Sequence, residues 1–174
     1  VIVAYVKDAN GDIVETVYPG CITTVSLEEA QDTESNISDA ARKEIIDLYD
    51  KLVKKEIKLS EVLEELNTLV GEKFGKENNA DNMVVRDLML IDLIHQECKD
   101  ELAKEGTTID LTFEMDVEEG TFLQVATLID GKWQLAEKVV INEDGTVTVT
   151  FEDLCPVLFL VPGEMNEAVA PSGF

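Results

Sequence analysis

Residues 107–161 carry the plainest pattern in the chain. Ile109, Leu111, Phe113, Met115 and Val117 alternate with Asp110, Thr112, Glu114 and Asp116. A period of two puts the first set on a buried face and the second in water. Glu119-Gly120, Asp130-Gly131 and Asp144-Gly145 are turn dipeptides, and they divide the next stretch into strands at 121–129, 132–141 and 146–151. In the last of these Val147, Val149 and Phe151 alternate with threonines. Residues 157–161 are apolar on both faces, as a central strand is. Strands of this length joined by short turns predict an antiparallel meander in a sandwich or half-barrel.

A second β element is expected at the start. Residues 1–5 and 13–17 flank Asp8-Ala9-Asn10-Gly11-Asp12, and Asn-Gly favours the positive φ angles of a tight hairpin turn. Pro19-Gly20 breaks that strand and residues 22–25 begin another. The period then changes. Ala41, Ile45, Leu48 and Leu52 are spaced four, three and four apart, which lays one apolar stripe along a helix. Ser38 is its expected N-cap, because the hydroxyl accepts from amides of the first turn. A second helix is expected with Ser60 as cap, a stripe of Val62, Leu66 and Leu69, and a stop at Gly71 and Gly75. Together they read as an αα-hairpin inserted at about residues 37–75. Residues 76–82 form a polar loop.

Residues 84–94 are nearly all apolar, and a buried strand and a buried helix look alike in such a run. Leucine and methionine favour helix on local preference. Residues 96–104 are charged and suit a helical turn or two, ended by Gly106. Residues 162–174 lose periodicity and read as a tail or linker. The expected fold is therefore α+β, one domain over residues 1–161. Its antiparallel sheet or sandwich combines the N-terminal hairpin with the C-terminal meander, and a two-helix segment is inserted between them.

Composition bears on partners more than on fold. The formal net charge is −23, from 37 acidic and 14 basic residues, with Arg42 and Arg86 the only arginines. Phosphate backbones are bound by clustered Lys and Arg, so nucleic acid and anionic membranes are poor partners. Acids spread along the whole chain read as a solvated exterior, compatible with a divalent cation or a basic partner. A hydrophobic fraction of 45% allows a sizeable core. No apolar run is long enough to cross a bilayer. No charged-then-apolar leader precedes Val1, which fits either a removed leader or a start inside a longer protein.

Three cysteines, Cys21, Cys98 and Cys155, form no CxxC pair. An odd count leaves at least one thiol unpaired within the chain. Cys155, between Leu154 and Pro156, is expected as a buried free thiol, while pairing of Cys21 with Cys98 stays open. Cysteines without evident partners also suit a reducing compartment.

Catalytic constellations are not expected. His95 is the only histidine, and Cys98 lies three residues on. Glu97, Asp100 and Glu101 disfavour a thiolate there, so the pair reads as a surface histidine beside a structural cysteine. No Gly-x-Ser-x-Gly or phosphate-cradling glycine loop occurs. The carboxylate pairs Glu118/Glu119 and Glu143/Asp144 fall at turns, where acids are solvated. The one metal candidate is calcium at Asp8, Asn10 and Asp12, three oxygen-bearing side chains within five residues. The loop lacks the ordered acid spacing and downstream bidentate glutamate of an EF-hand. The competing reading is a hairpin turn whose Asn-Gly serves the backbone alone. Residues 142–145 offer a weaker version of the same choice, and Trp133 reads as a packing residue rather than a ligand platform.

Three segments carry a resemblance. They are Gly131-Lys132-Trp133, then residues 142–151 ending in Asp144-Gly145-Thr146-Val147-Thr148-Val149-Thr150-Phe151, and Leu154-Cys155-Pro156-Val157-Leu158-Phe159-Leu160-Val161. This resembles a β module found near the C-terminus of secreted or cell-surface proteins of Gram-positive, often gut-dwelling, bacteria. There a "DGKW" hairpin precedes "DGTVTVTF" and a "SPVAFVV"-like strand. Val84-Val85-Arg86-Asp87-Leu88 is similar to the "VVRDLFDV" segment that opens the sheet in those proteins. Cys155 stands where serine is usual, and Met89 where an aromatic is usual. The resemblance implies that residues 88–94 are a strand, against their local helix preference. It also implies an extracellular or cell-surface location and a non-enzymatic structural, adhesive or interaction role toward a protein or cell-surface ligand. It carries no activity and no site residues. The alternative expectation is a calcium- or small-ligand-binding module using the Asp8–Asp12 loop.

Overall fold

The computed structural model describes residues 3–17, 22–34, 36–93, 96–154 and 156–166. In chain order the elements are β1 (Val3–Lys7), β2 (Ile13–Val17), β3 (Ile22–Ser26), α1 (Leu27–Gln31), α2 (Asp39–Val53), α3 (Leu59–Val62) and α4 (Glu64–Phe74). A single 3-10 turn (Ala80–Asn82) leads into β4 (Met83–Leu93) and α5 (Gln96–Leu102). Next come β5 (Thr108–Glu114), β6 (Gln124–Ile129), β7 (Lys132–Leu135), β8 (Lys138–Ile141), β9 (Thr146–Phe151) and β10 (Pro156–Pro162). The strands form two antiparallel five-stranded sheets, A in the order β2-β1-β5-β9-β8 and B in the order β3-β4-β10-β6-β7. The fold is α+β, a sandwich with inserted helices.

Two cores result from this layering. Between the sheets lie Val6, Ile109, Leu111, Phe113, Val149 and Phe151 of sheet A, against Ile91, Val125, Val157 and Phe159 of sheet B. On the far side of sheet B, Leu88, Ala126, Leu158 and Leu160 meet Ile45, Leu52, Leu63, Leu66 and Val70 from the helices. Successive residues of β10 thus feed alternate cores. Its apolarity on both faces is what a strand buried on both sides requires.

The run at 84–94 is a strand over its described residues, and the helix preference is overturned. β10 pairs Phe159 with Asp87 but Leu160 with Val85, so Arg86 is an extra residue and the ladder slips there. Such a bulge switches the phase of a strand. Met83 and Val85 face the helices before it, Leu88 and Leu90 face them after it, and Met89, Ile91 and Leu93 turn to the inter-sheet core. With both faces buried and the phase broken once, no period of two survives in the sequence.

The single strand expected at 132–141 is two. β7 extends sheet B, β8 extends sheet A, and the Ala136 amide donates to the Val125 carbonyl (2.9 Å) where the chain crosses between them. Asp130-Gly131 and Asp144-Gly145 do close hairpins, the first with φ of 51° and 76° as a primed turn needs. Glu119-Gly120 instead lies in the crossing from sheet A to sheet B.

Ser38 caps α2, accepting from the Ala41 amide at 3.2 Å. The second helix differs from expectation. It breaks at Leu63 (φ −128°), and its buried stripe is Leu59, Leu63, Leu66 and Val70. Ser60 does not cap it, since its amide and hydroxyl are both taken by the Asp81 carboxylate, at 3.0 and 2.5 Å. Gly71 is helical, and the stop is at Gly75 with φ of 111°.

The first residues expected as a tail are fastened to the body. Buried Asn78 donates to the carbonyls of Phe74 (3.1 Å) and Asn166 (3.0 Å) and accepts from the Asn166 amide (2.6 Å). The sandwich has two distinct poles. One gathers the starts of β1 and β4 with the ends of β5 and β10, tied across by the Arg86 guanidinium donating to the Met115 carbonyl (2.9 Å). The other holds the ends of β1 and β4 and the starts of β5 and β10.

Candidate functional site

Helices α1 to α4 all pack on sheet B, and α5 touches β1 and β4 with Leu102 in the inter-sheet core, so among the described residues the outer face of sheet A is left open. That face is built from the polar half of each alternation. Register places Tyr5 beside Asp110, Asp110 beside Thr150, and Thr150 beside Lys138; the next row is Thr112, Thr148 and Val140. The side chains are linked. Lys7 pairs with Asp110 at 2.5 Å, whose other oxygen accepts from the Thr150 hydroxyl at 2.7 Å. The Thr112 and Thr148 hydroxyls lie 2.8 Å apart. Asn142 donates to the hydroxyls of Thr146 (2.9 Å) and Thr148 (3.2 Å). The Thr146 hydroxyl in turn donates to Asp144 at 2.6 Å. That hydroxyl, with the Thr146 amide, holds the Asp144 carboxyl below its ordinary range. The result is a strand-spanning lattice of donors and acceptors whose positions are set before any partner arrives. Its residues were legible only as the wet half of an alternation.

The acidic turn is a closed unit. The Asp8 carbonyl accepts from the Gly11 amide (3.0 Å), and one carboxylate oxygen of Asp8 accepts from the amides of Asn10 (2.9 Å) and Asp12 (3.0 Å). Gly11 supplies the positive φ, 85°. Asn10 and Asp12 are exposed. Among the described residues no three His, Cys, Asp or Glu side chains are grouped as a metal would need. Asp8→Ala is expected to cost about 1 kcal/mol through the turn, a fall of about 2–4 °C in melting temperature. Thermal unfolding with calcium and with EDTA checks it; a loss seen only with calcium would make Asp8 a ligand.

At the pole where β4 ends and β5 begins, the sheets splay around a cleft of about 640 Å³. Asp92, Glu137, Glu152 and Lys99 line it with the apolar Leu102 and Ile129, and Lys99 lies 4.0 Å from Asp92. The cleft is large enough for a small molecule, for which volumes of about 300–1,000 Å³ are usual. His95, Cys21 and Cys155 lie outside the described residues, as does the side chain of Cys98, so the His95–Cys98 and Cys21–Cys98 readings do too. Trp133 is half-buried and packs on the helical core.

One carboxyl that the sequence did not single out is Asp87, at the β4 bulge. Burial raises its pKa above 3.8; amides of Leu88 and Leu27 and the charge of Arg86 oppose this, and Glu28 adds to it. The folded state thus binds this proton more tightly than the unfolded chain. Stability is lost as pH rises from the unfolded value through the folded one. Asp87→Asn, which keeps an accepting oxygen, is expected to stabilise the protein at neutral pH, with the gain vanishing below pH 3.8. Urea titrations at the two pH values check both halves.

No family model, no curated protein and no solved structure matches this chain.

Proposed function

We propose that this chain is a non-catalytic interaction module of a bacterial secreted or cell-surface protein, engaging its partner through the outer face of sheet A. The observation that carries the reading is the linked lattice of Lys7, Asp110, Thr150, Thr112, Thr148 and Asn142 on a sheet face that the helices leave open. Side chains ordered in advance lose little conformational entropy on binding, which favours recognition of a polar partner. The partner is a protein or a cell-surface ligand rather than nucleic acid, which a net charge of −23 repels. The location rests on the resemblance over residues 84–161. The non-catalytic role rests on it too, together with the solvated turn positions of the paired acids.

The test is binding of the purified chain to immobilised cell-envelope glycans and host matrix proteins. At least one is expected to bind, Thr148→Arg with Asp110→Ala to abolish the signal, and Asp8→Ala to leave it intact. Binding indifferent to the face variants would sink the assignment, and turnover of a chromogenic substrate panel would sink the non-catalytic role. Fractionation of the source bacterium with an antibody to the chain checks the compartment.

A further inference from the structure

The end of α2 departs from the rest of the molecule in charge and from local preference in backbone conformation. Residues 51–58 read Lys-Leu-Val-Lys-Lys-Glu-Ile-Lys, placing four of the chain's 14 basic residues in one short stretch of a molecule with net charge −23. The helix closes with a Schellman arrangement, in which Glu56 donates to the Lys51 carbonyl at 2.9 Å and Lys55 to that of Leu52 at 3.3 Å. This puts Lys55 at φ of 63°, in the left-handed conformation that favours glycine. Strain kept at one residue, against local preference, is a mark of use.

Lys55 lines an apolar groove of about 260 Å³ between the end of α2 and the start of β4, with Ile57 and Met83 among its walls. Val53 and Val84, also lining it, are 59% and 48% exposed, the first and third most exposed of the large apolar residues described. The carboxylate in the wall, Asp81, is engaged by Ser60. The remaining lysines, Lys51, Lys54 and Lys58, are exposed within two residues of lining positions.

We propose that this groove docks an acidic segment of a partner protein, an aliphatic or aromatic side chain seated between Val53 and Val84 and carboxylates meeting the lysines. Charge complementarity selects the occupant. A short peptide samples only the local patch, because the field of distant acids is screened over about 8–10 Å at physiological salt. A nucleic acid or an anionic bilayer extends past the patch and meets the acidic remainder of the surface. This site is distinct from the outer face of sheet A, on the opposite layer of the molecule, and does not depend on it.

The test uses an array of peptides with apolar pairs flanked by Asp and Glu, against the same pairs flanked by Lys and acidic frames with serine at the centre. Acid-flanked apolar peptides are expected to bind at least tenfold better than either control, and to weaken severalfold as salt is raised. Lys54→Glu with Lys55→Glu, and separately Val84→Asp, are expected to cut binding at least tenfold. Lys55→Gly relieves the strain, so its melting temperature rises by about 2–4 °C while its binding falls; a purely structural lysine would not separate the two. Equal binding of acidic and control peptides, or binding that survives the charge reversal, overturns the proposal. A dimer in sedimentation that the same reversals dissociate also overturns it, assigning the groove to a second copy.

Discussion

Phe159→Ala is expected to lower the free energy of unfolding by about 3–5 kcal/mol, the range for an aromatic removed from a core that cannot close over the gap. Phe159 is fully buried, and its ring meets Phe113 edge-on at 5.3 Å, with Phe151 also edge-on to Phe113 at 6.4 Å. It sits on the central strand of sheet B, hydrogen-bonded to β4 on one side and β6 on the other. Both ladders hold the backbone, so the cavity stays open. Domains of this kind are stable by about 5–15 kcal/mol, so the loss is a large share of the total. At about 2–4 °C per kcal/mol the melting temperature should fall by about 6–20 °C. Leu158→Ala, one residue away, empties the helical core instead, where helices shift more readily than paired strands; about 2–4 kcal/mol is expected. Urea unfolding followed by the fluorescence of the single Trp133 reads both, and a smaller loss at Phe159 than at Leu158 would contradict this view of the inter-sheet core.

Deleting Arg86 is expected to be little more damaging than replacing it, although it shortens a strand buried on both faces. Arg86→Ala keeps the extra residue and forfeits one hydrogen bond to the Met115 carbonyl, worth about 1 kcal/mol. Deletion removes the bulge and joins Val85, paired with Leu160, directly to Asp87, paired with Phe159, in one continuous alternation along β4. Met83, Val85, Leu88 and Leu90 then fall on alternate positions and all stay on the helical core. The expected loss is about 1–3 kcal/mol, from the Met115 hydrogen bond and the local twist that the bulge supplies. Amide exchange checks the layers: α2 and α4 should keep their protection, as β5 and β9 do. A deletion far more damaging than Arg86→Ala, with α2 and α4 losing protection, would show that the helical core depends on the bulge itself.

That bulge also explains where the sequence could and could not be read. β5 and β9 border one core and one solvent face, so their period of two survives and their boundaries are nearly legible. β4 borders two cores and changes phase once, and composition alone then favours helix. The split of residues 132–141 was hidden for another reason. A strand leaving one sheet for the other keeps its alternation, and the short crossing at Ala136-Glu137 carries no glycine or proline to mark it. Ser60 had the chemistry of a cap, but its partner Asp81 lies 21 positions away, beyond any local rule. The lattice on sheet A was present in the sequence as Asp110, Thr112, Thr148 and Thr150, yet only strand register shows that these four are neighbours. Nor does the lysine-rich stretch mean much until the groove beside it is seen.

The two poles have a consequence for where the described ends of the chain lie. Val3 opens β1 and Asn166 lies just beyond β10 at the same pole, one strand in each layer of the sandwich. The described chain therefore enters and leaves the fold by one doorway. The opposite pole, with the 640 Å³ cleft and the Asp8–Asp12 turn, stands farthest from that doorway, and the open face of sheet A runs along the flank between the two.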